Sequence, residues 1–280
     1  MNALSSIACL MFLSACARTP SSSSESLDSI GEDWVQGNSL TFDGGTRRYA
    51  MYAPTEGDIR GLVVVLHGAG QSVNHMISEI AVEAVADEKG FLVAVPEGVD
   101  GGWNDEDPPG GEYADDVGFI DALVAEVTTV YPDLPRSQIF AHGFSNGGGL
   151  ATRLACESSQ IRGVGVIGNY YVPVSDDCPR PVGHPVPGWF GAGLEDDLVR
   201  VESIRERIPS YVADLTDCPT TGSLQPVESA DVPSDVVCKQ VSDCELVRLC
   251  EYEDRGHEVL PGSVLAAWNF LSEAAASSAN

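Results

Sequence analysis

The stretch Gln138–Arg153, QIFAHGFSNGGGLATR, restricts the possible folds of this chain more than any other. Ile139 to His142 reads as the end of a buried strand, and Leu150 to Cys156 is compatible with a helix. Between them stands Gly143-Phe144-Ser145-Asn146-Gly147, a small-x-Ser-x-small pattern. A serine in this pattern sits on a sharp strand-to-helix turn, where the backbone passes close on both sides. Side chains at Gly143 and Gly147 would collide there, which is a steric reason for both glycines. The turn aims the Ser145 hydroxyl outward and lets the Asn146 amide face a developing oxyanion. A plain glycine-rich loop with a capping serine fits the same short pattern, so the rest of the chain has to decide.

Elsewhere, strand and helix signals alternate. Asp43–Tyr52 reads as a turn followed by an edge strand, ended by Pro54. Gly61–Leu66 (GLVVVL) is the apolar run expected of a strand buried on both faces, and it leads into His67-Gly68-Ala69-Gly70-Gln71-Ser72. One helix is expected from an Asn74 cap to about Lys89, stopped by Gly90. Phe91–Val95 is the next strand, and the loop Glu97–Gly111 carries Trp103 and Asn104. From Tyr113 to Val130, Val117, Ile120, Leu123, Val124 and Val127 recur at helical period. Ile161–Ile167 and Gly188–Ala192 read as strands, and Val201–Leu215 as a helix broken or kinked near Pro209. Thr216–Cys238 is turn-rich and aperiodic, Glu245–Tyr252 reads as the last strand, and Val264–Ala276 as the last helix. The expected class is α/β, with a mostly parallel central sheet and helices on both faces.

The ends and the charge bear on compartment and partners. Residues 1–16 read as an export signal: Ile7 to Leu13 is too short to span a bilayer, and Leu13-Ser14-Ala15-Cys16 resembles a lipobox. Residues 17–38 form a Ser-rich tether, leaving 39–280 as a single catalytic domain with a Cys-rich excursion at about 216–250. Beyond Cys9 and Cys16, six cysteines remain, enough for three disulfides in an oxidising compartment, with the pairing open. Their spacing does not suit zinc, and no metal or organic cofactor is expected. A formal net charge of -27, with Lys89 and Lys239 the only lysines, repels nucleic acid and anionic lipid. Membrane contact is therefore expected only through a lipid on Cys16.

A serine hydroxyl needs a general base, and the base needs an acid to orient it. The chain has five histidines. His257, in Arg255-Gly256-His257-Glu258, follows the last strand, where a loop can return it over the sheet edge. His142 is too near Ser145 in the chain to turn back onto it, His75 reads as exposed on a helix, and His184 lies in a proline-rich connection. The acid should end an earlier strand. Asp196 is preferred, Asp197 is the runner-up, and Asp176 and Asp177 are more distant choices. The order Ser, Asp, His is that of α/β-hydrolases. Their second oxyanion donor comes from the loop after the Leu62–Leu66 strand, here Ala69. His67, Trp103, Tyr170, Tyr171 and Trp189 are candidates for lining a substrate cleft.

The segments RRYAMYAP (47–54), LVVVLHGAGQS (62–72), GWN (102–104), DDVGFIDALV (115–124), GFSNGGGLATRLACE (143–157), GLEDDLV (193–199) and GHEVLPG (256–262) carry a family resemblance. The chain resembles the polyhydroxybutyrate depolymerase-like and feruloyl/acetylxylan esterase-like α/β-hydrolases of carbohydrate esterase family 1. That resemblance implies Ser145 as nucleophile, Asp196 as acid and His257 as base, and a structural use for the Asp115-Asp116 pair. It departs from the family at Ala192, where a histidine is common, and at Val259-Leu260, where an aromatic is usual. The implied activity is secreted ester hydrolysis on polysaccharide-linked feruloyl or acetyl groups. Hydroxyalkanoate oligomers are the alternative substrate, and a catalytically silent glycan-binding lipoprotein is the alternative class. The expected partner is an ester-bearing polysaccharide or polyester oligomer, the expected state a monomer, and the expected location the cell envelope or exterior. The acidic surface also suggests a saline setting. Raising salt from dilute buffer should raise Tm, because screening relieves self-repulsion; a fall in Tm over that range excludes the idea.

Overall fold

The computed structural model describes residues 34–105, 114–172, 178, 184–229 and 232–277. The leader, most of the tether, and Asp176 and Asp177 lie outside the described residues. A ten-stranded sheet runs β1-β2-β4-β3-β5-β6-β7-β10-β9-β8 among them. The central strands are β3 (Gly61–Leu66), β4 (Phe91–Pro96), β5 (Ile139–Phe144), β6 (Gly163–Ile167), β7 (Gly188–Gly193) and β10 (Val247–Tyr252). They are mutually parallel. At one edge β1 (Val35–Phe42) and β2 (Gly45–Tyr52) add antiparallel pairs. At the other, β8 (Leu224–Val227) and β9 (Val236–Val241) do the same.

Two apolar layers cover the sheet, and the strand period assigns residues to them. Leu62, Val64 and Leu66 of β3 face one layer, while Val63 and Val65 face the other. The first layer is closed by α3 (Asp116–Val130), α4 (Asn146–Glu157) and α5 (Val201–Leu215). The second is closed by α1 (Val73–Ile80), α2 (Glu83–Lys89) and α6 (Ser263–Ser277), with Trp268 between Phe91 and Phe140. This is the α/β-hydrolase arrangement, with helices on both faces.

Several local expectations change. The Asp43–Tyr52 strand is not an edge, because β1 pairs outside it through a turn with positive φ at Asp43 and Gly44. The domain therefore begins before residue 39, with Trp34 buried against Tyr52. The single helix of 74–89 is two helices, capped by Ser72 rather than Asn74 and divided at Ala81, whose φ is 41°. Helix α5 continues through Pro209, because Ile204, Ile208, Tyr211, Val212 and Leu215 are all buried along one face. That packing outweighs the lost hydrogen bond.

The turn-rich stretch after α5 contributes β8 and β9 to the sheet. Cys218–Cys244 and Cys238–Cys250 staple it, and Cys156–Cys178 secures the end of α4. Glu251 of β10 accepts hydrogen bonds from Arg205 on α5 and Lys239 on β9. Burial by itself would raise its carboxyl pKa, yet those two cations hold it below the ordinary value.

His142, on β5, turns toward α6 and is fully buried, with Nε2 3.3 Å from Ser263 Oγ and Nδ1 without a hydrogen-bond partner among the described residues. Burial pushes its pKa down to about 3. Unfolded chains take up this proton below about pH 6.5, whereas the folded protein refuses it, so stability falls as pH drops from there. Between pH 6 and 4 the wild type should lose about 1.4 kcal/mol per pH unit more than His142→Asn. Urea denaturation at several pH values measures the two slopes, and equal slopes exclude the effect.

Candidate active site

Ser145 sits at the turn from β5 to α4 with φ 52° and ψ -120°. A non-glycine residue held there costs on the order of 1–3 kcal/mol, so its surroundings must hold it. Its N–H donates to Ile167 O at 2.8 Å, and its carbonyl accepts from Asn169 Nδ2 at 2.7 Å and Gly149 N at 3.0 Å. A Cβ on Gly143 would overlap the Gly147 carbonyl, and one on Gly147 would overlap the carbonyls of Leu66 and His67. The two glycines thus have the steric role expected of them. Asp105 and Asn169 leave equally little room at Gly149.

His257 reaches Ser145 from the loop after β10. Its Nε2 lies 2.9 Å from Ser145 Oγ and its Nδ1 lies 2.8 Å from Asp196 Oδ2. The other carboxylate oxygen of Asp196 accepts from the N–H groups of Leu198 and Val199 at 2.9 and 2.8 Å. Asp196 Oδ2 accepts a hydrogen bond from His257 Nδ1–H, which leaves the Nε2 lone pair for the serine hydroxyl. The acid in this chain of contacts is the buried Asp196, while its neighbour Asp197 is exposed. Acid and base loops touch directly: Glu195 N–H donates to Arg255 O at 2.8 Å, and a Cβ on Gly193 would overlap that carbonyl. Phe144 backs the His257 ring at 5.0 Å between centroids.

Next to the serine lies the His67–Gln71 loop. Gly68 N–H donates to Gln71 Oε1, Gly70 N–H to Gly101 O, and Gln71 N–H to Gly68 O. Among the described residues, Ala69 N–H in this run keeps no acceptor, and Ala69 is exposed. Asn146 opens α4, so its N–H also lacks an intrahelical acceptor.

The candidate cleft residues divide sharply. Trp189 and Tyr171 belong to the core, at 0% and 1% exposure, because their strand and loop positions turn them under α6 and onto Tyr211. His67 is also fully buried and cannot touch a ligand with its ring. Trp103 is nearly so, its indole N–H donating to His67 O at 2.9 Å. Tyr170 stays half-buried near the Arg207 guanidinium. Asp116 is buried between Arg47 and the Asn104 N–H, which anchors the Trp103 loop. Asn169 supports the site without any motif having marked it, and Gln71, inside the 62–72 segment, does so through its side-chain carbonyl. Among the described residues no cluster of three or more His, Cys, Asp or Glu could hold a metal ion.

No protein-family model matches the chain. A Nocardia uniformis protein named "Putative esterase NocK" is 37% identical over 155 residues, 51% of this chain and 43% of that protein. Feruloyl esterase D of Neurospora crassa is 23% identical over 234 residues, covering 78% of this chain and 77% of the enzyme. This chain thus spans under half the length of the first relative. Among solved structures, an acetyl xylan esterase from Aspergillus awamori superposes with TM-score 0.60 at 13% identity, covering 83% of this chain and 98% of that one. The chain has the α/β-hydrolase fold and resembles feruloyl and acetyl xylan esterases.

The close approach at Gly147 gives a test with an unusual sign. Replacing a helical glycine by alanine ordinarily stabilises by about 1 kcal/mol. Gly147→Ala should instead destabilise by about 1–3 kcal/mol, since the new methyl meets backbone that cannot yield cheaply. Equilibrium unfolding decides, and a more stable variant refutes the packing described here.

Proposed function

We propose that this chain is a serine carboxylic-ester hydrolase that acts on feruloyl or acetyl esters carried by polysaccharide. The observation that carries the reading is the hydrogen-bonded series Ser145–His257–Asp196 beside two unspent N–H donors. In the proposed reaction His257 Nε2 takes the hydroxyl proton as Ser145 Oγ attacks the ester carbonyl carbon. Asp196 stabilises the imidazolium that forms. The N–H groups of Ala69 and Asn146 hold the oxyanion. His257 then returns the proton to the departing alcohol, and water attacks the acyl-enzyme by the same route to release the acid. Ground-state strain at Ser145 keeps its hydroxyl aimed at the open side of the turn.

The substrate class rests on the likeness to feruloyl and acetyl xylan esterases. Export is part of the reading. Three disulfides suit an oxidising compartment, and residues 1–16 have the pattern of a leader ending at Cys16. We infer a monomeric catalytic domain on a Ser-rich tether, with a lipid on Cys16 as its membrane contact. The strongly acidic surface makes nucleic acid an unsuitable partner. A purely glycan-binding role leaves the strained serine and its aligned imidazole without a purpose.

Initial rates on p-nitrophenyl acetate and butyrate, methyl ferulate, acetylated xylan and a 3-hydroxybutyrate oligomer test this reading, with Ser145→Ala alongside. Hydrolysis of methyl ferulate or acetylated xylan is expected to lead, and Ser145→Ala should lose at least about 10³-fold in kcat. A clear preference for the oligomer moves the enzyme to polyester hydrolysis. No turnover by folded protein, or full activity in Ser145→Ala, refutes the mechanism.

A further inference from the structure

His67 is not needed as a ligand contact, and its burial without charge calls for another explanation. Both ring nitrogens are occupied. Gly98 N–H donates to Nε2 at 3.0 Å, so Nε2 must present its lone pair. The ring proton therefore lies on Nδ1, which is 2.9 Å from Gly68 O and donates to it. Gly68 C=O and Ala69 N–H belong to one planar peptide unit, so fixing the oxygen fixes the direction of the N–H at its other end. The preceding peptide is pinned as well. His67 O accepts from the Trp103 indole, and Gly68 N–H donates to Gln71 Oε1. Trp103 is in turn held by the Asn146 side chain, whose Oδ1 accepts from Trp103 N–H at 2.7 Å and whose Nδ2 donates to Trp103 O at 3.0 Å.

We propose that His67 is a positioning residue that locks the Gly68–Ala69 peptide so that Ala69 N–H stays turned toward the oxyanion. This rests on the ester-hydrolase reading above. The same loop reaches both proposed donors, because the His67 backbone carbonyl accepts from the Trp103 indole and Trp103 is held by the side chain of Asn146, the residue that supplies the second N–H. A rotated Gly68–Ala69 peptide would present a carbonyl where a donor is required, and that penalty appears only as charge develops on the substrate oxygen.

Two amide substitutions separate this role from plain support of the loop. Asn places its amide where Nδ1 stands and keeps a donor for Gly68 O, while losing the acceptor for Gly98. Gln places its amide where Nε2 stands, so it keeps the Gly98 contact and loses the side-chain bond to Gly68 O, leaving that oxygen only the longer 3.1 Å bond from Gln71 N–H. On p-nitrophenyl acetate, His67→Gln should lose about 10²-fold in kcat with KM changed by less than about three-fold. His67→Asn should lose less than about ten-fold. If His67→Gln keeps wild-type kcat, or His67→Asn falls as far as His67→Gln, the lock is refuted. Nitrogen-15 spectra of histidine-labelled wild type supply a readout independent of variant folding: a His67 ring proton on Nε2 also overturns the proposal. Failure here leaves Ser145-dependent hydrolysis intact, whereas activity surviving in Ser145→Ala removes the reading beneath it.

Discussion

Helix α4 begins against the backbone carbonyls of Leu66 and His67, with only the Gly147 hydrogen atoms between. Much of the site depends on that approach. It sets the distance between the end of β3 and the elbow after β5, and so brings the His67–Gln71 loop beside Ser145. It also accounts for Gly147 in a helix whose first turn would otherwise favour other residues, while Gly149 faces Asp105 and Asn169. Helix propensity is given up locally, and the burial of Leu150, Ala151 and Leu154 further along α4 offsets it.

The remaining groups are carried by neighbouring strands and fastened by short-range contacts. Asp196 and His257 follow β7 and β10, which pair in parallel, so both loops leave the sheet at the same end. Gly193 lets those loops touch, and backbone N–H groups fix the carboxylate before the imidazole meets it. Ser145 holds a positive φ, which Asp196 and His257 do not. Such a distribution suits a site that has to be preorganised, since reorganisation during reaction is then small. Glu251, between Arg205 and Lys239, fastens α5 and the stapled β8–β9 extension to the strand that carries His257.

Much of this was legible along the chain. The run at Gly61–Leu66 reads as a strand buried on both faces, Phe91–Val95 and Ile139–His142 read as further strands, and the GFSNG pattern marks the turn after the third. β1 was missed because VQGNSLTF lacks a strong apolar alternation, being an outer strand with little to bury. The break at Ala81 was missed because alanine is a strong helix former, and nothing local announces its left-handed conformation. Aromatic residues near the ends of strands were poor guides to the cleft. Trp189 lies on β7 between Phe190 and Gly188, and the strand period that turns Phe190 toward one layer sends Trp189 into the other.

The sequence by itself determined the layered α/β class, the strand-to-helix turn at Ser145, and the order in which the candidates Ser145, Asp196 and His257 follow their strands. These follow from local sterics and periodicity, which act over a few residues. Only the tertiary structure set Asp196 rather than Asp197 against the His257 ring, joined the six cysteines as 156–178, 218–244 and 238–250, and turned His67 from a cleft candidate into a buried strut. Each of those outcomes depends on contacts between segments far apart in the chain, and a hydrogen bond over such a separation leaves no periodic trace in the residues between.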